Sequence, residues 1–226
     1  ELFVTEAIQD IEAFTKHDYG RPEADDKSGM LPPKLARTMV NLAGVPDDAH
    51  LLDPFCGSGT VLMEALEIGF SRITGTDVSE KAIQDSERNV QWFSRENEAH
   101  RHLPKRLRKR HSGAEIRFDA IVTEPYMGTP LSGREPNNVI KKQAQELGAL
   151  YADAFVSFAE ITERDAVVIF IIPKFKLKDE WITIDYIDQI QKNGFELIPF
   201  STESTSLLYH RPKQHVGREI FKFVRR

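Results

Sequence analysis

A glycine-rich segment and a downstream aspartate are the residues of this sequence best suited to hold a nucleoside. The segment DPFCGSGT (residues 53–60) follows an apolar stretch, and Gly57 and Gly59 allow a sharp turn with bare backbone. If a helix begins behind this turn, its first N–H groups face a polar or anionic ligand. Asp77 lies 18 residues after Gly59 at the end of the next apolar stretch, where a carboxylate can accept both hydroxyls of a ribose.

Two absences and one acid narrow the choice among adenosine-bearing cofactors. A nicotinamide or flavin fingerprint requires a third glycine at the sixth motif position, where this sequence has Leu62. The Gly-Lys-Ser/Thr of a phosphate-binding P-loop does not occur. Asp53 would repel a pyrophosphate, but it can receive the ammonium group of a methionine moiety. S-adenosylmethionine carries an ammonium group and no phosphate, so it fits both Asp53 and Asp77.

These segments resemble motifs I, II and IV of the class I S-adenosylmethionine-dependent methyltransferases, with VTEPY (residues 122–126) as motif IV. More narrowly, KSGMLPPKLARTMVNLA (residues 27–43) ahead of the glycine-rich turn resembles the catalytic domain of THUMP-type tRNA guanine-N2 methyltransferases of archaea and eukaryotes. The resemblance covers about residues 21–173. It implies that the cofactor contacts a covering segment, the turn and the second acid, namely Met30, Leu31, Asp53, Pro54, Phe55, Cys56, Gly57, Ser58, Gly59, Thr60, Asp77 and Val78.

The motif TEPYMG (residues 123–128) stands where this family has TDPPYG. An exocyclic amine is a poor nucleophile because its lone pair is delocalised into the ring. In related enzymes an acid and a proline carbonyl bind the hydrogens of the amine while an aromatic ring stacks on the base. The resemblance implies these roles for Glu124, Pro125 and Tyr126; in the alternative register, with Tyr126 in its family place, Thr123 occupies the acid position. The transfer is then an in-line displacement that depends on positioning and electrostatics.

The densest positive charge lies in HRHLPKRLRKRH (residues 100–111). Such a run can bind RNA phosphates, with an affinity that falls steeply with salt, or it can be a solvated loop. The candidate phosphate-binding cations are Arg101, Lys105, Arg106, Arg108, Lys109 and Arg110. Related methyltransferases have a strand in this interval with a polar residue that touches adenine, and no such strand is evident here. We therefore expect either a remodelled region or residues missing between Asn97 and Phe118.

The resemblance also predicts a domain organisation. Residues 1–33 are predicted to form a lead-in and cofactor-covering loop, and residues 34–226 the catalytic domain. Family members carry a THUMP domain that binds RNA, so we expect an RNA-binding domain upstream of Glu1 or on a partner protein.

The predicted function is S-adenosylmethionine-dependent methylation of an exocyclic amine in RNA, with guanine N2 of tRNA as the preferred target. Three alternatives stay open: a DNA adenine-N6 or cytosine-N4 methylase, an enzyme that methylates a glutamine amide, and an inactive methyltransferase-like RNA-binding module. Methylation at C5 of a pyrimidine is excluded because it needs a cysteine near motif IV, and the single cysteine, Cys56, lies in the glycine-rich turn.

Alternating strands and helices must position these residues. The pattern predicts a doubly wound, Rossmann-like α/β sheet, mostly parallel, with an antiparallel C-terminal hairpin. The predicted strands are 50–55, 72–78, 118–126, 166–173, 195–200 and 218–224, and the predicted helices are 34–43, 61–70, 79–97, 144–162 and 181–193.

Composition fits a globular enzyme. Of the 226 residues, 40% are hydrophobic and 29% charged, which argues against general disorder. One cysteine excludes a disulfide framework and argues against a structural zinc site. No apolar run approaches the roughly 20 residues that span a bilayer. The net charge of −5 means that a nucleic acid must meet a local basic patch. We predict a cytoplasmic enzyme without a metal.

Overall fold

Helices and strands alternate along most of the chain. The computed structural model describes residues 8, 11–23, 30–96, 107–108, 117–177, 180–212 and 214–226. The helices are α1 (Ile11–Tyr19), α2 (Pro33–Ala43), α3 (Thr60–Ile68), α4 (Glu80–Glu96), α5 (Asn137–Ile161) and α6 (Ile187–Lys192). The strands are β1 (His50–Asp53), β2 (Arg72–Thr76), β3 (Leu107–Arg108), β4 (Phe118–Thr123), β5 (Thr162–Leu177), β6 (Glu180–Ile182), β7 (Phe195–Ile198), β8 (Ser206–Tyr209) and β9 (Val216–Arg225).

The strands form one sheet in the order β3-β2-β1-β4-β5-β9-β7, with β6 paired to β5 and β8 paired to β9. The pairs β1/β2, β1/β4, β2/β3 and β4/β5 are parallel. Strand β9 runs antiparallel to both β5 and β7. The predicted fold class is thus confirmed, including the antiparallel C-terminal hairpin. Because the chain moves from β1 to β2 on one side and later to β4 on the other, a topological switch point lies between β1 and β4.

Both faces of the sheet are covered, as the apolar strands predicted. Successive residues of β5 point to opposite faces: Ile169 and Ile171 join the core under α2, α3 and α4, whereas Val168, Phe170 and Ile172 join the core under α5 and α6. Phe155 of α5 lies at the centre of the second core, with edge-on ring contacts at 5.0–5.2 Å to Phe170, Phe195 and Phe223. The two cores fix the strand ends that carry the candidate site.

Four segments differ from the sequence predictions. Helix α1 occupies residues 11–19, within the segment for which a lead-in and a cofactor-covering loop were predicted. Helix α5 begins directly after Pro136 rather than at 144, and its buried residues Ile140, Ala144 and Leu147 already show helical spacing. The predicted helix 181–193 was wrong in its first part, because Trp181 pairs with Lys176 in the hairpin β5/β6. Strand β8 lies between the predicted strands 195–200 and 218–224, where no strand was predicted.

The segment between α4 and β4, which contains the basic run, includes a short strand. Leu107–Arg108 forms β3, parallel to the end of β2, so the expectation of a missing strand was wrong. Two residues are too few to show an alternating pattern, which is why the strand was not predicted. Only the backbone pairing of Arg108 is described. The other candidate phosphate-binding residues lie outside the described part of the chain: Arg101, Lys105, Arg106, Lys109 and Arg110.

Candidate active site

The glycine-rich turn joins β1 to α3 and is held against the end of β2. The backbone N–H of Cys56 donates to the Thr76 carbonyl at 2.9 Å. The Asp77 carboxylate accepts a hydrogen bond from the N–H of Gly57 at 3.0 Å and another from the N–H of Ser79 at 2.9 Å. The second acid therefore lies directly at the turn, as predicted. Each carboxylate oxygen has about two acceptor positions, so further ones remain for a ligand hydroxyl.

Gly57 and Gly59 serve the turn in different ways. Gly57 has φ of 50°, and a Cβ built there meets no atom within 4 Å, so this backbone faces open space. Gly59 has φ of 87°, and a Cβ built there would lie 2.7 Å from Oγ of Ser86 on α4. Gly59 thus permits close packing of α4, whereas Gly57 leaves room for a ligand against the backbone.

Asp53 ends β1 on the other side of the turn, and only 2% of it is exposed. Its Oδ1 accepts hydrogen bonds from the Thr123 hydroxyl at 2.6 Å and from the N–H of Phe55 at 3.2 Å. The pKa of Asp53 rises to about 7: burial is the largest cause, the two hydrogen bonds oppose the rise, and the negative charges of Asp77 and Glu124 add to it. A ligand ammonium placed beside this carboxyl would favour its ionised form.

The remaining predicted cofactor residues surround the same turn. The Ser58 hydroxyl lies 3.8 Å from the sulfur of Met30, and Leu31 is buried in the core beside it. Pro54 and Phe55 are half-buried, and Val78 beside Asp77 is 78% exposed. The Thr60 hydroxyl, by contrast, is already bound to Arg21 at 2.7 Å, which indicates a structural role. The donor set of two acids and an open backbone fits S-adenosylmethionine.

Sequence reasoning missed a network that anchors the segment after α1 to the turn. The Asn89 side chain of α4 donates to the Ser58 carbonyl and to the Glu23 carbonyl, each at 2.8 Å, and accepts from the N–H of Glu23 at 2.9 Å. Arg21 adds its hydrogen bond to Thr60. A signal was present in the sequence, because Asn89 lies on the apolar stripe of α4 between Ile83 and Phe93, where a polar residue requires partners.

A second buried group holds α1 itself. The Glu64 carboxylate, in the middle of α3, lies 2.9 Å from Nδ1 of His17 and 2.7 Å from Nε of Arg37. The Glu64 side chain is 1% exposed, so both partners are needed to offset its burial. The three residues join α1, α2 and α3 behind the glycine-rich turn.

The motif after β4 lies across the switch point from the turn. Thr123 is the last residue of β4 and bonds to Asp53, so the ends of β4 and β1 meet. Glu124 forms an ion pair with Arg218 of β9, with Nη2 to Oε2 at 3.4 Å. Burial raises the pKa of Glu124, and the charge and hydrogen bonds of Arg218 oppose this. Arg218 was not among the site residues predicted from the sequence.

The two residues after Glu124 differ in exposure. Pro125 is buried, whereas Tyr126 is 59% exposed. The backbone carbonyl of Tyr126 accepts a hydrogen bond from the hydroxyl of the fully buried Tyr151 at 2.7 Å. The backbone of the motif is therefore fixed while the Tyr126 ring faces solvent, an arrangement in which the ring can stack on a planar ligand. Asp53 lies close enough to both Asp77 and Glu124 for their negative charges to act on it, so three acids come together at the ends of these strands.

Among the residues that the structure describes, no three or more His, Cys, Asp or Glu side chains are grouped to hold a metal ion. Nor does any helix of the described ranges combine the length and apolar character needed to cross a membrane.

The sequence of this chain is similar to those of known proteins. Residues 22–180 match the family described as RMKL-like, methyltransferase domain. The tRNA (guanine(10)-N2)-dimethyltransferase of Methanothermobacter thermautotrophicus is 38% identical over 105 residues, which are 46% of this chain and 30% of that protein. The enzyme of the same name from Methanocaldococcus jannaschii is 35% identical over 106 residues, 44% of this chain and 29% of that protein. These matches span less than a third of either relative.

A solved structure shares the fold. The crystal structure of TrmN from Thermus thermophilus superposes with a TM-score of 0.57 at 18% identity and covers 87% of this chain and 49% of that chain. At this identity the similarity concerns the arrangement of strands and helices.

Proposed function

The chain belongs to the RMKL-like methyltransferase family, and from that premise we propose that it methylates an exocyclic amine of a nucleobase in RNA, with guanine N2 of tRNA as its target. The cofactor predicted from the sequence, S-adenosylmethionine, is the one that a methyltransferase of this fold implies. When bound, it supplies an electrophilic methyl group. The two archaeal relatives named for guanine-N2 dimethylation of tRNA support the choice of amine and substrate.

One observation carries the proposal. The 2.6 Å hydrogen bond from Thr123 to Asp53 brings the end of β4, with its acceptor motif, to the end of β1, with its glycine-rich turn. The groups that would hold the methyl donor and those that would hold an amine therefore lie at the ends of neighbouring strands. A methyl transfer requires both reactants within a few ångströms and in line, which this arrangement can provide.

Each residue then has a role that its surroundings support. Asp77 and the backbone at Gly57 would hold the nucleoside part of the cofactor, and Asp53 the ammonium group. Glu124 would accept the hydrogens of the target amine, which localises the lone pair of the amine toward the incoming methyl. Tyr126 would stack on the base, because its ring is exposed beside the buried Pro125.

We also propose how the RNA substrate is bound and which parts of the protein or its partner take part. The basic run at residues 100–111 would supply phosphate contacts, and a tRNA substrate would place the enzyme in the cytoplasm. The catalytic domain would span residues 34–226, and residues 1–33 would cover the cofactor. RNA binding would be completed by a domain upstream of Glu1 or on a partner protein.

The test begins with calorimetric titration of S-adenosylmethionine and continues with mass spectrometry of nucleosides after incubation with unmodified tRNA or duplex DNA. We expect N2-methylguanosine from tRNA, with a rate that falls on the order of a hundredfold in Glu124→Gln. Glu219→Gln is a matched control, since this acid has similar side-chain exposure (15% against 13%) but bonds to Lys174 and Ser206. N6-methyladenine or N4-methylcytosine in DNA would contradict the proposal, and failure to bind the cofactor would indicate an inactive RNA-binding module.

A further inference from the structure

A cation from the last strand of the chain contacts the acceptor motif. Arg218 lies on β9 opposite Pro173 of β5, and β5 separates β9 from β4 in the sheet. Neighbouring strands are about 4.8 Å apart, so the Arg218 side chain reaches across β5 to the end of β4. There its Nε and Nη2 bond to the two different oxygens of Glu124.

This contact constrains a side chain that would otherwise have freedom to rotate. Glutamate has one more rotatable bond than the aspartate of the family's TDPPYG motif, so its carboxylate is less well oriented by its own backbone. A guanidinium presents its donors in a planar fork that matches a carboxylate edge. The Arg218 and Glu124 side chains are only 12% and 13% exposed, so solvent competes weakly for the contact.

We infer that Arg218 is a positioning residue, which holds the Glu124 carboxylate in the orientation and charge state needed to accept the hydrogens of the target amine. The inference rests on the proposed function and names a residue, 94 positions away from the motif, on which that function depends. The contacts with Arg218 use part of the acceptor capacity of the carboxylate, which has roughly four lone-pair sites, and leave the remainder for a substrate amine.

The charges around Glu124 determine what removal of Arg218 would do. Burial raises the pKa of Glu124, and the charge and hydrogen bonds of Arg218 lower it. Among the described residues, Asp53 at the end of β1 and Tyr151 of α5 also interact with Glu124: burial raises the pKa of each, and the negative charge of Glu124 adds to the rise. Without Arg218, burial is unopposed, and the carboxylate would take up a proton at higher pH than in the native protein.

The first test follows the Glu124 carboxyl itself. The protein is labelled with glutamate carrying carbon-13 at the side-chain carboxyl, and the resonance is assigned with Glu124→Gln. We expect the titration midpoint of Glu124 to move to higher pH in Arg218→Gln and to move less in Arg218→Lys, which keeps the charge without the planar fork. Lys174→Gln is the control, because it removes a cation of the intervening strand β5 that pairs with Glu219 of β9 and not with Glu124. An unchanged midpoint in both Arg218 variants would overturn the inference.

The second test measures single-turnover methyl transfer to tRNA at saturating S-adenosylmethionine, so that titration of Asp53 does not limit cofactor binding. We expect Arg218→Gln to react on the order of a hundredfold more slowly near pH 7 and to recover part of this loss at higher pH. Affinity for the cofactor should be unchanged at pH 8.5, where Asp53 is ionised in both proteins. A loss that is uniform across pH would indicate a merely structural role and would overturn the inference. If the native protein methylates no RNA while the midpoint still shifts, the ion-pair role stands and the proposed function fails.

Discussion

The Thr123 hydroxyl donates a 2.6 Å hydrogen bond to the Asp53 carboxylate, and this bond joins β4 to β1 at the switch point of the sheet. It gives a carboxyl that is almost fully buried a partner on the neighbouring strand. The pKa of Asp53 nevertheless rises to about 7, because burial outweighs the hydrogen bonds. The charge state at these strand ends is therefore predicted to change close to neutral pH.

Cofactor binding should depend on this titration. If the ionised Asp53 receives the ammonium of S-adenosylmethionine, binding below pH 7 must displace a proton, and Kd should rise about tenfold for each pH unit below that point. Calorimetry between pH 5 and 8.5 measures the slope. Asp53→Asn should bind more weakly with little pH dependence, whereas Asp77→Asn should bind more weakly and keep the slope. An Asp53→Asn variant that keeps the native slope would refute the assigned role.

The titration of Asp53 also affects the stability of the folded protein, and the shifted pKa determines in which direction. The pKa of Asp53 is higher in the folded protein, about 7, than its ordinary value of 3.8, so the folded state binds the proton more tightly. The contribution of this group to stability is therefore favourable at low pH and is lost as pH rises from about 4 to about 7, by up to about 1.4 kcal/mol per pH unit. Urea unfolding should show Asp53→Asn gaining in stability relative to the native protein across this interval. Thr123→Val removes a hydrogen bond that favours the ionised carboxylate and that Thr123→Ser retains, so Thr123→Val should lose stability relative to the native protein as the pH rises through about 7.

Substitutions at the two glycines of the turn should affect cofactor affinity and folding stability to different degrees. At Gly57, an alanine has open space around its Cβ but a positive φ, so Gly57→Ala should lower the free energy of unfolding by only about 1–2 kcal/mol. Its methyl group would occupy the space next to the backbone and should sharply reduce affinity for S-adenosylmethionine. Gly59→Ala adds a clash with Ser86 to a similar backbone strain and should be the more destabilising change. Chemical denaturation and calorimetry on both variants test this; the reverse order of stability would contradict it.

Local sequence patterns could predict the elements whose signal is contained in a few consecutive residues. The continuous apolar residues of β5 and the glycine-rich turn before α3 are of this kind. Helix α1 was not predictable in the same way, because its position depends on the distant buried partner of His17, Glu64. Trp181 resembled the start of a helix, since nothing local shows that the chain folds back on Lys176.

The same distinction between local sequence signals and distant contacts applies to the residues of the candidate site. Asp53, Gly57 and Asp77 were predictable because each lies at a strand end that the apolar pattern marks, and the structure brings them to one turn. The contact of Glu124 with Arg218 was not, because it depends on the strand order β4-β5-β9 and joins residues 94 positions apart. The catalytic and phosphate-binding roles themselves stay predictions.

Removal of the buried Glu64 charge should release α1. Glu64→Leu leaves His17 and Arg37 without their common carboxylate, and breaking a buried ion pair in this way lowers stability by about 3–5 kcal/mol. Because Arg37 is partly exposed, the lower end of that range is expected. Hydrogen exchange should show loss of protection concentrated in α1 and residues 20–23. The matched control is Glu67→Gln on the same helix, whose partly exposed contact with Arg37 at 3.9 Å should contribute less than about 1 kcal/mol.

The exposed ring of Tyr126 should matter for catalysis and hardly at all for folding. Since its side chain is largely in solvent, Tyr126→Ala should change the free energy of unfolding by no more than about 0.5 kcal/mol. Stacking of an aromatic ring on a base contributes about 1–3 kcal/mol, so kcat/KM for tRNA should fall by roughly 10- to 100-fold. Tyr126→Phe keeps the ring and should retain most activity, and cofactor affinity should not change in either variant. Equal activity of Tyr126→Ala and the native protein would show that the target base is held by other residues.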